Sequence, residues 1–233
     1  MVNPMARALS FLAGTKSIPG VRASFVPRVE GVPVTVDKWE TLTRLEPAHR
    51  EAVEELGFAW SDLCLAEQVH GDGLAVVGGE ASGAERVVPN VDGLLTSGGQ
   101  GVMLGIYVAD CAAIFLADRE TGALGLLHSG KKGTEKAIAM RAVKRMAEEF
   151  GSRPENLEAA ISPCIRPPHY EVDIALEIEK QLLGAGVPRS QVATSGVCTG
   201  AEVAHYYSYR IEKGKTGRML ALLGRIADTP AAS

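Results

Sequence analysis

Thiols and imidazoles are scarce in this chain of 233 residues. There are four cysteines (Cys64, Cys111, Cys164, Cys198) and five histidines (His49, His70, His128, His169, His205). The cysteines stand 47, 53 and 34 positions apart, which excludes the Cys-x-x-Cys spacing of zinc ribbons and thioredoxin-type sites. Dispersed thiols with no disulfide framework suit a reducing compartment, so a cytoplasmic protein is expected. Runs of one charge are also missing. The 24 basic and 28 acidic side chains leave a net charge of −4, which argues against gripping nucleic acid. The longest apolar stretch, 101–117, is interrupted by Asp110 and too short to span a membrane. Met1–Gly14 holds one Arg and no uninterrupted apolar segment of secretory type.

What the chain does have is apolar mass. Hydrophobic residues make up 46%, enough for a real core, and no Pro- or Ser-rich linker divides the sequence, so one domain over 1–233 is expected. The β-branched runs Val21–Pro27 and Val32–Val36 predict a hairpin around Arg28–Gly31. Pro47 is expected to open a short helix that Gly57 closes, with His49 on its exposed side. Leu63–Val69 and Leu74–Val77 read as strands joined across His70–Gly73, followed by a glycine-rich loop, Gly78–Gly83. Val102–Val108 and Ala112–Ala117 are nearly continuous apolar runs, the pattern of strands buried on both faces. The second continues through a five-residue turn, Asp118–Gly122, into Ala123–His128, a predicted hairpin. Thr134–Phe150 reads as one amphipathic helix, Leu157–Ile161 as a strand, and Asp173–Leu183 as a second helix. Buried strands with helices against them mean an α/β or α+β layered fold.

Three places carry chemistry. His128-Ser129-Gly130-Lys131-Lys132-Gly133 joins a strand to a helix, so its backbone N–H groups and two lysines offer an anion site. Read from Gly125, the string departs from a P-loop at its last position, where Lys132 replaces the Ser or Thr that holds magnesium. Asp110 breaks two apolar runs, and a carboxylate there is either a turn-former or a site residue. Cys111 beside it is a small core residue or a site thiol. As spacing alone, His70, Cys111 and His128 match no local metal motif. Cys111 and His128 are expected near opposite ends of the hairpin's length, with the register deciding whether they meet.

Taken in order, Gln68-Val69-His70-Gly71, Ala109-Asp110-Cys111, His128 to Gly133, Ser162-Pro163-Cys164-Ile165 with Tyr170-Glu171-Val172, and Thr216-Gly217-Arg218-Met219 resemble the YfiH family. These are the laccase-domain or polyphenol-oxidase-like proteins, understood as purine nucleoside phosphorylases. The resemblance covers Val21 to Leu223. It implies an α/β/β/α-type sandwich with mixed sheets, and a zinc site of His70, Cys111 and His128 with an open fourth position. It implies phosphorolysis of adenosine, inosine, guanosine and methylthioadenosine, together with adenosine deamination. Cys111, His128 and Asp110 are then the expected catalytic residues. Arg28, Lys131, Lys132, His169 and Tyr170 are the expected contacts to nucleoside and phosphate, in a monomer or weak homodimer.

This chain departs from the family pattern in places. Lys131-Lys132 stands where Trp-Arg is usual, keeping charge without the bidentate fork of Arg. Arg28 is kept while the histidine usually preceding it is not. Arg166-Pro167-Pro168-His169 replaces a Gly-Pro-Cys-Cys string, so His169 stands in for a site thiol, approaches the metal or caps a turn. Rival readings are a cysteine hydrolase with Cys111 as nucleophile and His128 as base, acting on an amide such as a peptidoglycan precursor, and a non-catalytic binding protein. A multicopper oxidase needs many imidazoles, and five scattered histidines do not furnish them. The segment His205-Tyr206-Tyr207 with Tyr209 lines a nucleoside pocket or forms a strand edge. Cys64 and Cys198 are expected to be packing residues.

Overall fold

The computed structural model describes residues 10–78, 86–99 and 101–226. Among the described residues, eleven strands form two mixed sheets. The first runs in the order β1 (Val21–Val26), β11 (Met219–Arg225), β6 (Met103–Val108), β2 (Leu63–Ala66) and β4 (Arg86–Val88). The second runs β10 (Val192–Thr194), β9 (Leu157–Ile161), β7 (Ala112–Asp118), β8 (Leu124–Ser129), β5 (Gly93–Thr96) and β3 (Leu74–Val76). The helices are α1 (Ala13–Lys16), α2 (Lys38–Glu55), α3 (Lys131–Glu135), α4 (Ile138–Phe150) and α5 (Ile174–Gly184).

Alternation along the strands sorts the apolar residues into layers. Ala113, Phe115 and Ala117 of β7 meet Leu104, Ile106, Ala221 and Leu223 in a core between the sheets. Ile114 and Leu116 point the other way, onto Ala142 and Met146 of α4 and Ile178 and Leu182 of α5. On the far side, Leu63, Leu65, Met103, Leu220 and Leu222 pack with Val53 of α2. Fully burying a Leu, Ile or Phe is worth about 1.5–3 kcal/mol, so three such layers hold the sandwich. The architecture is the expected α/β/β/α sandwich. β6 and β7 are buried almost throughout, as their apolar runs imply. No helix among the described residues is long and apolar enough to cross a membrane.

Several local expectations change. Val32–Val36 is not a strand, and β1 pairs antiparallel with β11 from the far end of the chain. α2 begins at Lys38, where the Asp37 side chain accepts Glu40 N at 2.8 Å, and Pro47 lies inside it. With the helix phased from Lys38, His49 falls on the stripe of Leu42, Leu45 and Val53 and is fully buried. β2 and β3 do not pair; β2 lies parallel to β6 in the first sheet and β3 parallel to β5 in the second. The helix expected over Thr134–Phe150 is interrupted at Ala137, whose φ of 58° is left-handed. Of the loop expected at Gly78–Gly83, residues 79–83 lie outside the described residues.

Candidate metal centre

The chain crosses from the first sheet to the second through Ala109-Asp110-Cys111, between β6 and β7. His128 is the penultimate residue of β8, and its register partner on β7 is Ala113. Antiparallel pairing sets the start of one strand beside the end of the other, so Cys111 and His128 share the open end of the hairpin. They do not lie at opposite ends of its length. His70 arrives from the loop after β2. One ligand atom each from His70, Cys111 and His128 lies within 4.8 Å of the others, the only such His/Cys/Asp/Glu grouping among the described residues. The two imidazoles meet edge to face at 4.8 Å between centroids.

A residue that sequence reasoning missed organises this cluster. Asp92, fully buried just before β5, accepts His128 Nδ1 at 2.7 Å and His70 N at 2.9 Å on Oδ1, and Gly71 N at 2.6 Å on Oδ2. With Nδ1 committed to the carboxylate, Nε2 is the nitrogen His128 has left for a metal, the usual orienting arrangement for a ligating histidine. A readable signal existed: like Asp110, Asp92 is a lone carboxylate at the mouth of a buried apolar strand. Gly130 is equally specific, since a Cβ there would come within 2.7 Å of Cys111 Sγ. The donor set, the oriented imidazole and this close approach fit a three-ligand metal site.

The electrostatics agree with the geometry. Burial alone would push the Cys111 thiol up, but the charge of His128 and hydrogen bonds from His128 and His70 bring it down to about 6. Burial would lower His128, but the Cys111 thiolate and Asp92 raise it to about 9. Asp92 itself is held low, as hydrogen bonds from His128, Gly71 and His70 outweigh its burial. The cluster therefore carries a thiolate at neutral pH, the form that binds metals.

A cavity of about 680 Å³ opens over the three residues. Within the range typical of small-molecule sites, it has room for a nucleoside and an anion together. Lys131, Lys132 and Tyr170, the expected nucleoside and phosphate contacts, line it, and so does Asp110. The Asp110 carboxylate accepts Thr199 Oγ1 and Arg210 N, both at 2.7 Å, while its backbone sits at φ 81°. Asp110 is thus both turn-former and site wall. Lys131 pairs with Glu171 at 3.1 Å. Lys38, Gln68, Tyr107, Arg210 and Arg218 also line the cavity, and Tyr209 does so alone among the residues of the 205–209 aromatic segment.

Two expected substrate contacts lie elsewhere. Arg28 does not line this cavity; its guanidinium pairs with Glu212 at 2.7 Å and stacks on Tyr207 at 4.3 Å, tying β1 to the 206–212 turn. His169 is outside both the cavity and the metal cluster, with Nδ1 3.7 Å from Cys198 Sγ. Its partner Cys198 pairs with Cys164 through the backbone alone, in an isolated parallel β-bridge, and both thiols are free. His49, at 0% exposure, sits 5.4 Å from the Tyr107 ring, and burial lowers it to about 4.

A family model described as multi-copper polyphenol oxidoreductase laccase matches residues 40–179 and 172–226. A relative from Geobacillus stearothermophilus, named purine nucleoside phosphorylase YlmD, is 34% identical over 76% of this chain and 77% of its own length. Its crystal structure gives a TM-score of 0.78 at 29% identity, covering 89% of this chain and 93% of that one. A purine nucleoside phosphorylase from Deinococcus radiodurans is 37% identical over 72% of each chain. An adenosine deaminase named RL5, from an unknown prokaryotic organism, is 26% identical over 86% of this chain and 94% of its own. With the model matching most of the chain and the sandwich shared with YlmD, the protein belongs to this laccase-like family, the YfiH family that its sequence strings resemble.

Proposed function

We propose that the protein is a zinc-dependent purine nucleoside phosphorylase that also deaminates adenosine. The observation that carries this reading is a His70–Cys111–His128 cluster on the floor of a cavity whose walls bear cationic side chains. The names of its relatives point the same way. Two imidazoles and a thiolate are a donor set suited to zinc, whereas a multicopper centre would need more imidazoles than this end of the molecule holds. When bound, zinc supplies Lewis acidity toward a substrate atom.

The chain's own residues do the rest. Asp92 orients His128 through Nδ1, so that Nε2 is the nitrogen left for a metal. The cations hold an oxyanion, and the aromatic faces of Tyr170 and Tyr209 with Ile165 offer a surface for a flat purine. In phosphorolysis a phosphate oxygen forms a bond to C1′ of the ribose. The C1′–N9 bond breaks, and the purine leaves with the electron pair and takes a proton. Holding phosphate and nucleoside in one cavity lowers the entropic part of that barrier.

Zinc-replete protein should release free base from adenosine or inosine in the presence of phosphate and form ribose 1-phosphate in equal amount. Absence of release with a full complement of zinc would refute the reading. Release without phosphate would point to hydrolysis. The cysteine-hydrolase alternative predicts alkylation of Cys111 that a substrate amide blocks in the metal-free protein; protection by zinc alone marks Cys111 as a ligand.

A further inference from the structure

The cations around the cavity are not equivalent. Lys131 and Arg210 share one carboxylate, Lys131 Nζ reaching Glu171 Oε1 at 3.1 Å and Arg210 reaching Oε2 at 3.3 Å. These groups sit at the exposed rim, where water and Glu171 already satisfy them, and Lys132 is exposed as well. Lys38 and Arg218 are half-buried, and neither has a carboxylate within 4.0 Å among the described residues. The only acceptors the described residues offer the Arg218 guanidinium are the carbonyls of Thr216 and Gly217, both on Nη1. Glu67, whose charge reaches Lys38, is turned to accept Asn90 N at 2.7 Å. Met219, the first residue of β11, pairs with Val108, so Arg218 just before it lies beside Ala109-Asp110-Cys111, next to the metal cluster.

Two half-buried cations facing one cavity with no ion-pair partner are unfavourable, because burial and mutual repulsion both act against them. The charges of Cys111 and Asp110 near Arg218, and of Glu67 near Lys38, offset this only in part. Lys38 shows it: burial lowers its pKa, and the charge of Arg218 lowers it further. An arrangement of this kind is relieved by a ligand that brings the missing negative charge. We infer that Lys38 and Arg218 form the oxyanion subsite of the cavity and take inorganic phosphate, in place of the glycine turn at Lys131-Lys132. The assignment rests on the phosphorylase reading for the identity of the anion, but not for the location of the site. Arg supplies planar, bidentate recognition of a phosphate and Lys a point charge beside it. The position next to Cys111 sets the anion close to where a nucleoside over the metal cluster would react.

The test is calorimetric titration of the zinc-replete protein with inorganic phosphate in the absence of nucleoside. Arg218→Gln and Lys38→Gln should each weaken phosphate binding by about tenfold or more, the loss of a charge-assisted bond. Lys131→Gln and Lys132→Gln should leave it nearly unchanged. Arg218→Lys, which keeps the charge, should recover part of the affinity, separating the charge from any effect on folding. Saturating adenosine should leave phosphate bound, whereas displacement of phosphate by adenosine alone would show a nucleoside contact and overturn the assignment. Loss of binding in the Lys131 or Lys132 variant with Arg218→Gln unaffected would move the anion to the turn. A wild-type protein that binds no phosphate also overturns it. Phosphate bound through Lys38 and Arg218 with no base released from nucleosides would leave this subsite standing and refute the phosphorylase reading.

Discussion

Replacing Asp92 by Asn asks whether the buried carboxylate beneath the cluster sets its metal affinity. One oxygen of Asp92 accepts His128 Nδ1 at 2.7 Å and His70 N at 2.9 Å, and the other accepts Gly71 N at 2.6 Å. Asn keeps the volume but turns one acceptor into a donor. With the amide oxygen left toward the histidines, its NH2 faces the Gly71 N–H, donor against donor. Flipped, the NH2 faces His70 N and His128 Nδ1, which must then accept and send its proton to Nε2, the nitrogen the metal needs. Either arrangement leaves a buried group unsatisfied, at about 1–3 kcal/mol. Changing such a partner weakens metal binding by about 10–100-fold, or roughly 1.4–2.7 kcal/mol. The dissociation constant for zinc, measured by competition with a chromophoric chelator at neutral pH, should rise by that factor in Asp92→Asn. Asp118→Asn is the control, because that carboxylate is also fully buried but accepts Glu120 N and Thr121 N at the far turn of the β7–β8 hairpin. It should lower stability and leave zinc affinity alone. A zinc affinity in Asp92→Asn within about threefold of wild type, or less than ~0.7 kcal/mol, would refute the orienting role.

Gly130→Ala places a Cβ 2.7 Å from Cys111 Sγ and 3.6 Å from His70 Cδ2, so the variant should fold and yet bind less than stoichiometric zinc by metal analysis; full loading would show that the cluster can give way. In metal-free protein the Cys111 thiolate should dominate above about pH 6. Iodoacetamide modification should therefore climb through that pH and level off by neutrality, while zinc suppresses it. His128→Gln removes the cation that depresses the thiol and should move the inflection upward; an inflection near 9 in the wild type would contradict the pairing. His49 is held neutral, lowered by burial from 6.5 to about 4, so between those values the unfolded chain binds the extra proton. Stability is full above pH 6.5 and falls as pH drops toward 4, by about 3 kcal/mol for a shift of this size. Denaturant melts across that window should show the loss in wild type and a flatter profile in His49→Leu.

What the sequence showed depended on the range of the contacts involved. The β7–β8 hairpin and the stripes of α4 and α5 are local patterns with periods of 2 and 3.6, and both were readable. The pairing of β1 with β11 joins residues about two hundred positions apart, and no local pattern announces it. Val32–Val36 had the composition of a strand but does not pair with β1, the neighbouring edge strand, so β-branched content alone misled. Placing the start of α2 at Pro47 rather than at the Asp37 cap shifted the apparent face and sent His49 to the surface. The three candidate ligands come from the loop after β2 of the first sheet, the link before β7, and β8 of the second sheet. Spacing could not assemble them, and the family resemblance supplied what periodicity lacked. Arg28 and His169 show the limit of that resemblance: one is a kept residue and the other stands where the chain departs from the family string, and neither lines the cavity, Arg28 pairing with Glu212 and His169 lying beside Cys198.

The backbone explains why so much of the site was invisible. Of the six described non-glycine residues at positive φ, Gln68, His70 and Asp110 border the cavity, at 65°, 59° and 81°. A left-handed conformation costs a residue with a side chain about 1–2 kcal/mol, and glycine is the usual signal for it. Here no glycine occupies these three positions, where the side chains are themselves used. Each strained residue is held by bonds from another segment. Gln68 is clamped to both backbone groups of Tyr107, His70 by Asp92, and Asp110 by Thr199 and the Arg210 N–H. Hydrogen bonds to a charged carboxylate are worth about 1.5–3 kcal/mol, enough to offset the strain at His70 and Asp110. The loops that carry the ligands are therefore kept in shape by contacts between distant segments rather than by their own sequence. Asp92, Thr199 and Tyr107 act on the candidate metal centre by holding the backbone around it.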